Sequence, residues 1–169
     1  GWSGVLEEYP LRPAGPGSAA RSLTISVAGT AACGALAHLH AGSVWNSAVR
    51  LAQLIESGVL RRRLSGKVVL ELGAAAALPS MVLIAEDDGL VLPPAGVIIS
   101  DYASADLLEN IEVSLRRNAA LISEPFRPDG SEGASSLTPR LRVVGHCWGS
   151  DVGDLRRAAG AVAAAAEGN

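Results

Sequence analysis

Aromatic side chains are scarce in this chain, with one Phe, two Tyr and three Trp among 169 residues. A core must therefore be built from Ala, Val, Leu and Ile, within a hydrophobic content of 49%. Cysteine is nearly absent. Cys33 and Cys147 make no disulfide framework and no paired metal-ligand spacing, so a reduced, intracellular setting is expected. His38, His40 and His146 with Cys147 form no C-x-x-C or H-E-x-x-H pattern, and no metal is expected. There is no excess of basic charge. The net charge of −3 argues against a general nucleic-acid binder, which shows a basic face. The one dense basic cluster, Arg61-Arg62-Arg63, sits between a helix and a strand and reads as a solvated turn. Long apolar runs are missing too. Residues 23–39 are broken by Thr, Ser, Gly and His, so neither a membrane span nor a signal peptide is read. Finally, the first residue is Gly1 and not Met, as in a processed, trimmed or partial sequence.

What is present suits one domain, since 169 residues bury a real core but are too few for two. Residues 1–22 carry Pro10, Pro13 and Pro16 and read as an irregular arm. Residues 23–27 alternate as a short strand, and the Ala/Gly-rich segment that follows, to Gly42, fits no single period. Val44, Ala48, Leu51 and Ile55 then share one helical face, with Ser43 as cap and Gly58 as stop. Residues 67–72 read as a buried strand, and Pro79 suits the first turn of the next helix, which stops by Gly89. Residues 96–100 read as a second strand. Ser104 then caps a helix lined by Leu107, Leu108, Ile111 and Leu115, on which Glu112 and Arg116 pair. A long, mobile loop (123–139), a third strand (141–144) and an Ala-rich segment (156–166) of high helix propensity but little amphipathic character complete the pattern. Strands alternating with helices indicate an α/β fold with an open, mostly parallel sheet and helices on its faces.

The run Val68-Val-Leu-Glu-Leu-Gly-Ala-Ala-Ala-Ala-Leu-Pro-Ser80 carries the chemistry. An apolar strand ends at Glu71, passes through a loop of the smallest side chains and enters a helix, which brings backbone N–H groups to a ligand. Gly73 admits positive φ, and Ala74–Ala77 let a ligand approach the backbone; a tight junction without ligand is the alternative. Asp101, at the end of the next strand, suits a ribose diol or, equally, a helix-start turn. Trp148, after the third strand, suits stacking on an adenine or a place in a core or lid. Trp45, at the start of the first helix, either closes the site from the other side or packs in the core.

Together these segments resemble a known family. Val44-Trp-Asn-Ser-Ala48, Leu64-Ser-Gly-Lys-Val-Val-Leu-Glu-Leu-Gly73, Leu78-Pro-Ser80, Ser100-Asp-Tyr102, Leu107-Leu-Glu-Asn110 and Gly145-His-Cys-Trp-Gly149 follow one order. That order is similar to the seven-strand (class I) S-adenosylmethionine-dependent protein lysine methyltransferases. Within them it is closest to the fungal nicotinamide N-methyltransferase-like branch that modifies translation elongation factor 1-alpha. The resemblance implies the N-terminal half of a Rossmann-like methyltransferase fold, about three parallel strands with flanking helices, the C-terminal strands missing. Residues 1–22 are then an arm, 23–155 a partial methyltransferase domain and 156–169 a tail. It implies S-adenosyl-L-methionine as cofactor. Trp45 would contact it from the first helix, Glu71, Gly73, Ala74 and Ala75 would hold its methionine part, Asp101 its ribose and Trp148 its adenine. Asn110 would support the Asp101 turn. The implied partner is a protein substrate in the cytoplasm, elongation factor 1-alpha, and the full-length protein would be a monomer.

The sequence departs from the family in two places. The family loop reads Gly-Ala-Gly-Ala-Gly, and Ala75 and Ala77 replace its second and third glycines. At positive φ an added methyl costs about 1–2 kcal/mol. The substrate-facing strand of the family falls beyond Asn169, so no catalytic residue is assigned and the chain is expected to bind cofactor without turning over. Its Val68–Leu72 strand would then be an open apolar edge. A small-molecule N-methyltransferase and a degenerate binding module are the alternatives. A dinucleotide oxidoreductase ranks below both, because no G-x-G-x-x-G pattern is present.

Overall fold

The computed structural model describes residues 4–13, 16–28, 42–87, 91–128 and 137–168. Cys33, His38, His40 and most of the Ala/Gly-rich segment lie outside them, as does the expected helix stop at Gly89. The first element corrects the reading of an irregular arm. Strand β1 (Val5–Leu11) pairs antiparallel with β2 (Arg21–Val27), from Val5 opposite Val27 to Leu11 opposite Arg21. Pro10 is tolerated because a two-stranded ribbon leaves each strand an open edge, where a missing N–H breaks no ladder.

Helix α1 (Asn46–Glu56) begins after Trp45, which stands at the N-cap where Ser43 was expected. Gly58, in the left-handed region, stops it and starts the short α2 (Val59–Leu64). Arg61 on α2 is not solvated. It donates to the Val82 and Leu83 carbonyls at 2.7 and 3.1 Å and pairs with Asp87 at 3.2 Å. Those carbonyls end α3 (Leu78–Ile84), whose C-terminal partial charge favours a cation.

Strands β3 (Val68–Leu72), β4 (Gly96–Asp101) and β5 (Leu141–Gly145) form a parallel sheet in the order β3-β4-β5. Val97 and Ile99 of β4 enter the main core, with Leu78, Met81, Ile84, Ile111 and Phe126 among its largest members. The opposite face meets helix α5 (Gly153–Glu167), the expected tail. Its Val162 is buried so closely on β4 that a Cβ at Gly96 would lie 1.9 Å away. A packed helix thus replaces the tail, because glycine on the strand gives room to an otherwise featureless alanine surface.

Helix α4 (Ala105–Arg117) follows Ser104, and the expected Glu112–Arg116 pair forms at 3.4 Å. The expected long loop is packed where it is described. Ser123 ties it to the Ile84 carbonyl through N–H (2.9 Å) and hydroxyl (2.6 Å), and Phe126 is fully buried. Edge strand β3, read as buried from its own residues and as an open apolar edge from the resemblance, has Val68, Leu70 and Leu72 exposed by 37, 42 and 51%. These three alternate with Val69 and Glu71 and share the side of the sheet that carries α5. Among the described residues no helix is long and apolar enough to cross a membrane.

Candidate functional site

The C-terminal ends of the three parallel strands open on one cavity of about 970 Å³. Parallel strands bring their carboxyl ends to the same edge, and the loops that follow build the walls. All seven residues singled out by the sequence line it: Trp45, Glu71, Gly73, Ala74, Ala75, Asp101 and Trp148. The wall also includes Val44, Ala48 and Leu51, so three of the four residues on the expected core face of the first helix look into the cavity.

Glu71 lies near the end of β3, with a partial opening to the cavity. Ser80, in the first turn of α3, reaches it twice, donating its N–H at 3.0 Å and its hydroxyl to the same carboxylate oxygen, Oε2. Burial raises the Glu71 pKa to about 7; the Ser80 bonds pull it down and the Asp101 charge pushes it up. Here burial outweighs hydrogen bonding.

The small-residue loop is held from β4. Ala74 N–H donates to the Ser100 carbonyl at 3.0 Å, Ala75 N–H to Asp101 Oδ2, and Ala77 N–H to the Ala74 carbonyl at 2.7 Å. These N–H groups serve the fold and do not form an open nest for an anion. Ala75 and Ala77 both lie in the left-handed region, with φ of 47° and 54°, so the costly version of the two glycine replacements applies. Asp101 also accepts the Tyr102 N–H at 2.6 Å, through Oδ1. It is thus a turn residue as well as a wall residue. A carboxylate offers about four acceptor positions, which leaves capacity toward the cavity.

Trp148, 79% exposed, overhangs Gly73. A Cβ there would come within 3.2 Å of its Cζ2, so only glycine, with its φ of 65°, fits beneath the indole without a shift. Trp45, 49% exposed, also lines the cavity. Asn110 does not support the Asp101 turn. Its Oδ1 accepts the Ser26 hydroxyl at 2.8 Å and its amide donates to the Asp106 carbonyl at 3.0 Å.

Three residues near or in the cavity wall were not assigned a role from the sequence. Ser80, Tyr102 and His146 are hard to single out without the fold, although all three fall inside motifs already noted. Among the described residues no three His, Cys, Asp or Glu side chains gather to hold a metal ion. The wall contains the Glu71 and Asp101 carboxylates and the Trp45 and Trp148 indoles, and no lysine or arginine among the described residues. A phosphate would find no lysine or arginine here among the described residues, and the Ala74, Ala75 and Ala77 amides are already engaged. A cationic ligand with an aromatic ring finds complementary groups.

Sequence comparison finds relatives of the chain among fungal proteins. The protein N-terminal and lysine N-methyltransferase of Eremothecium gossypii is 36% identical over 114 residues, which make up 68% of this chain and 36% of that protein. That of Kluyveromyces lactis is 32% identical over 108 residues, 64% of this chain and 37% of that protein. That of Schizosaccharomyces pombe is 31% identical over 122 residues, 72% of this chain and 38% of that protein. No family model matches the chain. The chain is therefore related by sequence to a protein N-methyltransferase family, and it spans less than two fifths of the length of the members it matches.

Proposed function

We propose that this chain forms the S-adenosylmethionine-binding part of a protein N-methyltransferase. One observation carries the reading: a single cavity joins two carboxylates on adjacent strand ends with two indoles, and its wall has no lysine or arginine among the described residues. S-adenosylmethionine is a phosphate-free nucleoside bearing a sulfonium and an ammonium group, and it supplies the transferable methyl. In this reading Glu71 balances the ammonium of the methionine part, with Gly73, Ala74 and Ala75 passing beneath it. Asp101 accepts from the ribose hydroxyls while holding the loop, Trp148 covers the adenine and Trp45 closes the opposite rim. Methyl transfer to an amine depends on orienting a neutral nitrogen in line with the sulfonium, more than on acid–base groups. No described residue is assigned to that nitrogen.

The same reading places the protein in the cytoplasm with a protein amine as substrate, a lysine or N-terminus of translation elongation factor 1-alpha. It makes the sheet one half of a Rossmann-like fold. In this reading a further strand of a longer, monomeric protein would pair with the open backbone edge of β3. Isothermal titration tests the first step. S-adenosylhomocysteine is expected to bind, and a nicotinamide dinucleotide is not. Equal binding of both, or of neither at millimolar concentration, overturns the reading.

A second reading is favoured by one feature. The left-handed Ala75 and Ala77 place methyl groups in a loop that the enzyme family builds with glycine, as expected of a binding module that has lost turnover. Transfer of a labelled methyl group to lysate proteins by the longer protein separates the two.

A further inference from the structure

We propose that Ser80 is a positioning residue for ligand recognition: it fixes one oxygen of Glu71 so that the other is held for the ammonium group of an amino-acid-bearing ligand. This rests on the cofactor reading above and adds the residue that tunes its carboxylate. Three features of the site support it. Ser80 is 2% exposed, so it meets the ligand only through Glu71. Its N–H and hydroxyl both converge on Oε2, while Oε1 accepts no hydrogen bond among the described residues. The placement is enforced by the chain, because α3 starts directly after left-handed Ala77, with Pro79 in its first turn and Ser80 next.

The hydroxyl matters because Glu71 is poised. Buried between the loop and α3, its carboxyl is half protonated near neutrality, and the Ser80 bonds are the groups that favour its charged form. Other titratable groups on the same cavity are Asp101 at the end of β4, Tyr102 beside it, and His146 after β5. The difference between the wild type and a Ser80 variant isolates Glu71, since these other groups are common to both.

The experiment is isothermal titration of the full chain from pH 5.5 to 8.5 with two probes. S-adenosylhomocysteine carries the ammonium group; 5′-methylthioadenosine carries a closely similar nucleoside without it. In the wild type the first probe binds more tightly as pH rises through the Glu71 transition, and the second does not. Ser80→Ala is expected to move that midpoint up by about one pH unit. This weakens S-adenosylhomocysteine about fivefold at pH 7, a difference that shrinks toward pH 8.5, and leaves 5′-methylthioadenosine unchanged. Ser80→Thr keeps the wild-type midpoint, and Ser80→Cys, a weaker donor of similar size, gives an intermediate one if the alanine variant fails to fold. An unmoved midpoint, or equal weakening of both probes at every pH, overturns the proposal. Failure of the wild type to bind either probe is a different result, which removes the cofactor reading itself.

Discussion

Two polar clusters of this molecule use side chains to hold another segment's backbone, and they do it in opposite ways. Asn110 and Ser114 on α4 and Asn118, which caps its C-terminus, form a buried stripe four residues apart against β2. Asn118 accepts the Thr24 N–H at 2.8 Å and donates to the Thr24 and Ser114 carbonyls, both at 2.7 Å. Ser114 accepts the Ser26 N–H at 2.8 Å, and Asn110 accepts the Ser26 hydroxyl. This cluster is neutral and closed. At the strand ends, Glu71 and Asp101 also hold backbone N–H groups, those of Ser80, Ala75 and Tyr102, but both are acidic and face a cavity. Buried polar groups that exhaust their bonding capacity fix a fold. Those that keep charge and capacity point to a ligand.

The largest expected effect tests the closed cluster. Asn118→Ala strands both the N–H and the carbonyl of Thr24, and unpaired buried groups cost about 1–3 kcal/mol each. We expect a loss of about 3 kcal/mol in urea unfolding. A loss under about 1 kcal/mol would mean that water replaces the asparagine and that the cluster is not closed.

The open cluster should respond to pH. The Glu71 pKa is raised from its ordinary 4.5 to about 7, so between those values the folded protein keeps a proton that the unfolded chain releases. Stability contributed by this group therefore falls as pH rises from about 4.5 to about 7 and is level beyond. Glu71→Gln should match the wild type near pH 4.5 and exceed it above pH 7. The gap should be on the order of 1–2 kcal/mol, reduced by the water that reaches the carboxyl. No gap at pH 8 would show that the carboxyl is as well solvated in the fold as outside it. Asp101→Asn, which keeps an acceptor for Ala75 but turns its NH2 toward the exposed Tyr102 N–H, should cost about 1 kcal/mol of stability while weakening S-adenosylhomocysteine about tenfold.

The contrast also separates what the sequence shows from what it hides. The strand ends were legible because local signals mark each of them, Glu71, Gly73 and Pro79 after the first parallel strand, Asp101 at the end of the second and Trp148 after the third, so the seven site residues could be read together. The α4 stripe was not. Its Asn and Ser look like surface residues until β2 is brought against them, and nothing local names Thr24 or Ser26 as partners. Arg61 was missed for the same reason, since the Val82 and Leu83 carbonyls lie about twenty residues away. Strand β1 was hidden by Pro10 and by the prolines that follow it, and α5 by an alanine surface whose docking point, Val162 on Gly96, is visible only across the sheet. Local punctuation carries the ligand site, whereas long-range polar pairing carries the N-terminal half of the fold.

The smallest effect gives the finest test, because the open cluster includes a strained loop. Ala75 and Ala77 sit at positive φ, and glycine there relieves about 1–2 kcal/mol of backbone strain while adding about 0.5–1 kcal/mol of unfolded-state entropy. Each alanine-to-glycine change should thus stabilise by roughly 0.5 kcal/mol. The two should part in binding. Ala75 lines the cavity, so Ala75→Gly removes a methyl from the wall; Ala77 is fully buried behind it, so Ala77→Gly changes only the fold. We expect tighter S-adenosylhomocysteine binding for Ala75→Gly alone, read by titration beside urea unfolding of both variants. If both tighten binding equally, loop strain and not wall shape limits affinity. The strained loop and the Asp101 carboxylate that holds it would then act as one unit.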